Sequence, residues 1–546
     1  MRVLIVIPAR GGSKGIPRKN LRPLAGKPLI HYSIRTALSV QTSCRVVVST
    51  DDNEIALFAE RFGADVLIRP KELGADTVTL DPVIVCATKQ AEKRWSETYD
   101  AIITIQPTSP LICAEEIKEA IRILRDDVTD TVLSVVDDRH LTWTIRDNQA
   151  FPLYNTRVNR QQLPEVYKET GAIIGCTIEQ LRKGTRIGSN VSLLHMPYDR
   201  SVDIDSFSDL AICESLLLRK RIVFTVIGYD KVGLGHAYRA LMLAHELVQY
   251  DLHFVCEERS DLAINEIRKH NYLVHVCDAG QLVSTITNLS PEMVINDILD
   301  TDTAYMSNLS ENGIKTINFE DMGSGASIAN LVINALYPHQ PPLKNMLAGP
   351  KYFGLRDEFL YLPARNRQQT ARRILLTFGG VDEGNLTART LLIASKYTEE
   401  LNFDIDVVVG PGFDHYNQLT NLVTRLGYAR IKVHSGTSRI SDYMCIADMA
   451  VTSGGRTVLE LAALNVPTIV ICQNRRETTH TFASCDNGVL NLGYRGDISD
   501  KKIEDAILRV LSDPEIRNQM IEKSSKLDLT LGKKRIISKI IDLLKS

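Results

Sequence analysis

The sequence carries no excess of charge of either sign: 64 Lys and Arg stand against 66 Asp and Glu, a net of −2. A nucleic-acid-binding domain ordinarily shows a strongly basic footprint, so no nucleic acid partner is expected. No apolar run approaches the ~18 residues that span a bilayer, so no membrane span is expected. Residues 1–8 contain no secretory cleavage region and read directly as a strand. The expectation is a cytoplasmic protein. No Cys-x-x-Cys pair occurs among the ten cysteines. Most lie in apolar runs, such as His253-Phe254-Val255-Cys256. That pattern reads as small buried hydrophobes in a reducing compartment, against zinc or disulfide scaffolding. Repeats and low-complexity tracts are absent. With 44% hydrophobic and 24% charged residues, a disordered tail or a fibrous protein is excluded.

What is present is length and alternation. At ~150 residues per domain, 546 residues correspond to three or four domain-sized units. Short β-branched runs (residues 3–7, 45–49, 101–105, 131–135, 222–227, 293–295, 374–377, 405–409 and 468–472) alternate with amphipathic stretches such as 29–40, 115–124 and 238–248. Continuous apolar strands followed by helices indicate α/β architecture with parallel sheets covered on both faces. A charged break, Arg219-Lys220-Arg221, precedes a fresh strand and a glycine-rich turn, so a boundary is placed at residue 220. A proline-containing, weakly periodic stretch over 337–372 divides the remainder. The expected domains are 1–220, 221–350 and 351–546.

After the first strand comes Arg10-Gly11-Gly12-Ser13-Lys14-Gly15-Ile16-Pro17-Arg18-Lys19-Asn20. Three glycines let backbone amides approach an anion, and four cations neutralise it. That composition suits a triphosphate at the carboxyl end of a strand, although the Walker ending is missing. Further polar segments, Ser49-Thr50-Asp51, residues 69–77 and Gln106-Pro107-Thr108-Ser109-Pro110, close other strands and point to the same crevice. Read as a strand, Ser201-Val202-Asp203-Ile204-Asp205 places Asp203 and Asp205 on one face. Paired hard oxygens suit Mg²⁺ shared with substrate phosphates.

These blocks, with Gly26-Lys27-Pro28-Leu29-Ile30, Arg160-Gln161-Gln162-Leu163-Pro164 and Gly171-Ala172-Ile173, resemble the CMP-nonulosonate synthetases, the CMP-sialic acid synthetase family, over about residues 1–215. The resemblance implies a nucleotide-diphospho-sugar-transferase-like (GT-A-like, Rossmann-type) fold. It also implies transfer of CMP from CTP to the anomeric hydroxyl of a nine-carbon keto acid sugar, releasing pyrophosphate. It places Arg10, Gly11, Gly12, Ser13, Lys14, Lys19, Asn20 and Arg69 on CTP, and Gln106 and Arg160 on the nonulosonic acid. Asp203 and Asp205 fall to the metal, with Arg10 and Asp205 as the catalytic pair. The attacking hydroxyl gives its proton either to a metal-bound hydroxide or to Asp205. Lys168, Thr170 and Ile174 stand where many sialic acid enzymes carry Arg, Asn and Tyr. Lys has no planar two-point fork, so the sugar side chain recognised at Lys168 is expected to differ from that of N-acetylneuraminate. Family members are commonly homo-oligomers, often with an arm closing a neighbour's site. Residues 136–165 are the candidate arm of the N-terminal domain.

In the remainder, Gly233-Leu234-Gly235-His236 fits a tight turn into a helix whose positive end meets phosphate. His236 at that entrance is a candidate general base. A dinucleotide fingerprint is disfavoured because Arg239 replaces its third glycine. Phe378-Gly379-Gly380-Val381-Asp382 ends another strand. Thr452-Ser453-Gly454-Gly455-Arg456 opens a helix in which Glu460 faces ribose hydroxyls. These segments, with Cys472-Gln473-Asn474, resemble the GT-B superfamily, and within it the UDP-sugar hydrolase of pseudaminic acid biosynthesis. The resemblance implies a two-lobed GT-B-like unit in which His236 activates water against the anomeric carbon of a UDP-linked amino sugar. Gly235, Gly379, Ser453, Gly454, Gly455 and Glu460 would hold UDP, Asn474 would support the sugar, and no cofactor is expected. The alternatives are a GT-B glycosyltransferase or a non-catalytic sugar-nucleotide-binding module. The hydrolase resemblance points to pseudaminic acid while residues 160–173 look closer to sialic or legionaminic enzymes, so the sugar stays open.

Overall fold

The computed structural model describes residues 1–13, 15–40, 44–75, 77–126, 128–230, 232–337, 341–362, 370–410, 412–427, 429–437 and 439–546. Lys14 of the glycine-rich loop lies outside them, as do Asp76 and Lys231. The chain divides into two compact α/β units, Met1–Arg219 and Lys220–Ser546.

The first unit is built on one seven-stranded sheet. Its spatial order is Val191–His195, Thr131–Asp137, Tyr167–Thr177, Ala101–Ile105, Val3–Pro8, Cys44–Thr50, Asp65–Ile68. Alternation sorts the side chains of Val3–Pro8 to two faces. Val3, Ile5 and Ile7 enter one core with Ile30, Ile34 and Ile117. Leu4 and Val6 enter the other with Ile84 and Ala87. Both faces are covered, which is why this strand reads as an unbroken apolar run. The sheet is not wholly parallel, contrary to the sequence expectation. Tyr167–Thr177 runs antiparallel to both neighbours. Its residues 172–176 are all buried, so it lacks the in-out alternation that betrays an antiparallel strand. A small hairpin, Trp143–Arg146 with Gln149–Pro152, projects from the unit. Its turn residues Asp147 and Asn148 both have positive φ, 49° and 65°, as a two-residue mirror-image turn requires.

The second unit has two lobes. The first lobe's sheet is parallel throughout, ordered Leu273–Cys277, Asp251–Glu257, Arg221–Val226, Met293–Asp297, Lys315–Phe319, Leu331–Asn334, Met346–Ala348. The second lobe's sheet is ordered Ile431–Ser435, Asp404–Val409, Arg373–Thr377, Met449–Thr452, Thr468–Cys472, Val489–Tyr494, again parallel. In both, the chain starts mid-sheet, winds one way, then reverses beside its first strand. That reversal opens a crevice at the strands' carboxyl ends, the usual ligand position in such sheets. The helix expected over 238–248 is Gly235–Ala244; it begins directly after the tight turn at Gly233, φ 75°.

The lobes exchange segments. Ala335, Leu336, Phe353 and Phe359 pack in the second lobe's core with Val458, Leu461 and Val470. The last helix, Gly532–Lys545, goes the other way. Its Ile536, Ile540 and Leu544 join Ile222, Phe224 and Ala240 in the first lobe. The lobe read as 351–546 therefore gives up its final helix, whose apolar stripe is matched by the uncovered face of the first lobe's sheet. The two return paths touch: a Cβ at Gly532 would lie 1.9 Å from the Phe353 carbonyl oxygen.

Candidate active sites

In the first unit the glycine-rich loop leaves the carboxyl end of Val3–Pro8 and is tied down from below. Asn20 is 8% exposed, and its Nδ2 donates to the Arg10 carbonyl at 2.9 Å. The Gly11 amide donates to Asp51 Oδ1 at 3.4 Å. A Cβ at Gly11 would meet Asp52 Oδ2 at 2.5 Å, and Asp52 is committed as the cap of helix Asn53–Arg61. A side chain there would push the loop off the sheet. Gly12 is exposed, and Arg10 and Ser13 are half-buried, so the rim of the loop faces outward.

Arg69 is placed behind this rim. Its side chain is 3% exposed. It donates to the Ser49 carbonyl and to Asp51 Oδ1, both at 3.2 Å. Burial pulls its basicity down, with Asp51 opposing that pull. Asp51 thus gathers the Gly11 amide and the Arg69 guanidinium, and a Cβ at Gly74 would approach its Oδ2 to 2.6 Å.

Lys19 reaches across to the acidic segment. Its Nζ donates to the Ile204 carbonyl at 2.6 Å and to Asp205 Oδ1 at 3.2 Å. The Ile204 amide donates to the Thr108 carbonyl at 2.9 Å, and a Cβ at Gly15 would meet the Asp205 carbonyl at 2.8 Å. The loop, the 106–111 turn and the acidic pair are therefore neighbours. The acidic segment is not a strand, contrary to the sequence reading. It is pinned instead by Ile204, fully buried in a small cluster with Ile16, Leu24 and Leu29. The two carboxylates on either side of it differ. Asp205 is 79% exposed. Asp203 is pushed up by burial and further by Asp205, against the Thr108 hydroxyl and Lys19, which favour its charged form, and its Oδ1 is buried with no partner within hydrogen-bond distance. Among the described residues no group of three or more His, Cys, Asp or Glu is disposed to hold a metal. The orphaned Asp203 oxygen, with the exposed Asp205 carboxylate two residues on, is the donor chemistry that suits a hard divalent ion taking its remaining ligands from phosphate and water.

Along the same crevice, Gly171 has φ 70°, and a Cβ there would lie 2.9 Å from Gln106 Nε2. Arg160 and Lys168 are exposed. Thr170 is buried: its hydroxyl lies 2.7 Å from Ser134 Oγ, and Ser134 Oγ accepts the Ile173 amide at 2.9 Å. These bonds stitch the register shift between Glu169 and Ile174. Ile174 packs with Leu133 and Val135. Of the three departures from the sialic acid pattern, only Lys168 is exposed.

In the second unit a cleft of about 540 Å³ lies at the two switch points. Gly235, Gly379, Ser453, Gly455, Glu460 and Asn474 line it. Gly454 does not: its amide donates to Glu477 Oε2 at 2.9 Å. Glu477 also accepts the Gln473 amide at 2.8 Å, and burial pushes its carboxyl up. Asn474 Oδ1 accepts the Glu477 amide at 3.1 Å. Glu460 is 9% exposed and pairs with Arg356 Nε at 3.3 Å. Sequence reasoning gave no role to the cleft-lining cations Arg356, Arg456 and Arg495. Arg456 is pulled down to about 10 by burial and then by nearby Arg239. Its signal was a cation directly after Gly454-Gly455.

His236 stands one residue behind the cleft wall at Gly235, with 18% of its side chain exposed; it is not itself a lining residue. Its Nδ1 lies 2.7 Å from Asp297 Oδ1. Burial alone pushes the Asp297 carboxyl up, but Arg239 and then His236 outweigh it and hold it at about 2. Nothing near His236 in sequence announces Asp297.

The cytidylyltransferase family model matches residues 4–173. CMP-N,N'-diacetyllegionaminic acid synthase of Legionella pneumophila is 33% identical over 228 residues, covering 40% of this chain and 97% of the relative. N-acylneuraminate cytidylyltransferase A of Danio rerio is 33% identical over 234 residues, covering 41% of this chain and 52% of the relative. The chain thus spans about half the length of several curated relatives it matches. The solved structure of Acinetobacter baumannii MurG covers 59% of this chain and 99% of its own, at 13% identity and TM-score 0.43.

Proposed function

We propose that this chain, which belongs to the cytidylyltransferase family through its first unit, transfers CMP from CTP to the anomeric hydroxyl of a nine-carbon keto acid sugar and releases pyrophosphate. The observation that carries the reading is the acidic segment held against the glycine-rich loop: Lys19 Nζ donates to the Ile204 carbonyl and to Asp205 Oδ1, and Asp203 two residues before leaves a buried Oδ1 without a partner. In-line displacement at the α-phosphorus needs alignment and charge neutralisation more than covalent help. The amides of Gly11, Gly12 and Ser13, with Arg10 and Lys19, supply both to the triphosphate. Mg²⁺ held by Asp203 and Asp205 would neutralise phosphate charge. Arg160 offers a fork to the sugar carboxylate, and Gln106 and Lys168 flank it. The test is pyrophosphate release from CTP and Mg²⁺ across N-acetylneuraminic, legionaminic and pseudaminic acids. Release with one names the sugar; release with none overturns the reading.

For the second unit the reading is hydrolysis of a UDP-linked amino sugar. His236 takes a proton from water, the water oxygen bonds to the anomeric carbon, and the carbon–phosphate oxygen bond breaks as UDP leaves with the electron pair. The carboxylate-oriented His236 supports hydrolysis over binding without turnover. UDP release from a panel of UDP-linked 2-acetamido sugars, lost in His236→Ala, tests it. The exposed Trp143, Ile145 and Phe151 of the hairpin support an arm that reaches a second copy of the first unit, which light scattering would read as a dimer.

A further inference from the structure

We infer that Asp297, clamped by Arg239, is the positioning residue that fixes His236 with its proton on Nδ1 and its lone pair on Nε2. The inference rests on the reading of His236 as a base.

Two side chains converge on one carboxylate. His236 Nδ1 lies 2.7 Å from Asp297 Oδ1. Arg239 Nε donates to Oδ2 at 2.7 Å, and Arg239 Nη2 donates to Oδ1. An ionised carboxylate only accepts hydrogen bonds. The ring nitrogen facing it must therefore carry the proton, which leaves the other nitrogen as the acceptor a base needs.

The fold explains why these residues meet. Met293–Asp297 pairs with Arg221–Val226 at the switch point. The turn after Arg221–Val226 feeds helix Gly235–Ala244. On that helix His236 and Arg239 are three residues apart and share a face, directly over the end of the neighbouring strand. Arg239 cannot swing aside. It is 5% exposed, its Nη1 lies 3.8 Å from Glu320 Oε1, and its guanidinium stacks 5.0 Å over Phe319.

The clamp also changes the carboxylate's role. A bare buried carboxylate under a histidine both orients the ring and stabilises its cation. Here Arg239 already cancels the charge of Asp297, so orientation dominates. An uncharged pair of similar shape should therefore preserve much of the function, whereas removing the carboxylate alone strands a buried guanidinium.

The experiment uses the full chain with ¹⁵N-labelled histidine, the His236 signals being assigned by their loss in His236→Asn. The wild type should show Nδ1–H; a dominant Nε2–H form overturns the inference whatever the activity. Asp297→Asn should lose about 100-fold in kcat with KM little changed and with UDP affinity, read by calorimetry, within about threefold. Asp297→Asn with Arg239→Gln should recover at least about tenfold of that loss. Wild-type kcat in Asp297→Asn, alongside an inactive His236→Ala, overturns the inference and leaves the hydrolase reading standing. Full activity in His236→Ala leaves the unit a hydrolase and overturns the reading of His236 as its base, and no UDP release by the wild type from any of the sugars overturns the hydrolase reading itself; in either case the tautomer still reports on Asp297.

Discussion

Replacing Arg69 with Met separates two roles for a residue that sequence reasoning put on the nucleotide. In the structure both terminal nitrogens of its guanidinium are engaged by protein groups, the Ser49 carbonyl and Asp51 Oδ1, and its Nε is buried without a partner. A bond to a neutral carbonyl contributes about 1 kcal/mol and one between charged groups about 1.5–3 kcal/mol. The gross loss is then about 3 kcal/mol. Burial of the guanidinium, the largest influence on its basicity, opposes this. Asp51 is 19% exposed and can rehydrate once its cation is gone, so the net loss stays at about 2 kcal/mol, below the ~3–5 kcal/mol of a fully buried pair. In a unit of this size each kcal/mol moves the melting temperature by about 2–4 °C, so Arg69→Met should melt about 4–8 °C lower. The affected transition is the one that CTP raises, because a ligand stabilises the unit that binds it. Loosening Asp51 also loosens the Gly11 amide, so the KM for CTP should rise by less than about tenfold. An unchanged melting temperature with a KM raised about 100-fold would refute the reasoning and return Arg69 to the nucleotide.

Gly171→Ala forces a side chain into φ 70°, costing about 1–2 kcal/mol, and displaces Gln106 Nε2, only 2.9 Å from the new Cβ. Steady-state kinetics should show a raised KM for the nonulosonic acid and an unchanged KM for CTP. His480 Nδ1 accepts the amides of Phe482 and Ala483 at 3.1 and 3.2 Å, and burial lowers its pKa to about 4. The unfolded chain binds that proton near 6.5, so the folded state is favoured fully above 6.5 and loses roughly 3 kcal/mol as pH falls towards 4. Urea unfolding should show about 2 kcal/mol of this loss between pH 7 and pH 5, and His480→Asn, which keeps an acceptor but does not titrate, should flatten it.

The strands were legible because burial on both faces writes them as apolar runs, as in Val3–Pro8. The same burial hid the direction of Tyr167–Thr177, since its inner half lacks alternation. The hairpin lies within the 136–165 arm named from the sequence, but its strands were not legible because Ile145 is 75% exposed, so its apolar residues mark no core. Within the sites, the glycine-rich loop and the cleft glycines could be read locally. What could not be read was which polar groups are already satisfied. Gly454 has the composition of a phosphate-binding amide, but Glu477 holds it. Asp203 and Asp205 look equivalent in sequence and differ sharply in exposure, because the segment is not the strand that would have put them on one face. The partner of His236 lies 61 residues away, joined to it only by strand order.

The contact between Gly532 and Phe353 has a mechanical consequence. Each lobe of the second unit ends in a piece of chain that belongs to the other, so the lobes are linked by two crossings that meet at one point. A side chain at Gly532 would strike the Phe353 backbone and so disturb both crossings at once. Cutting either crossing would leave one lobe's core without the segment it borrows, although every cleft residue would still be present in the chain.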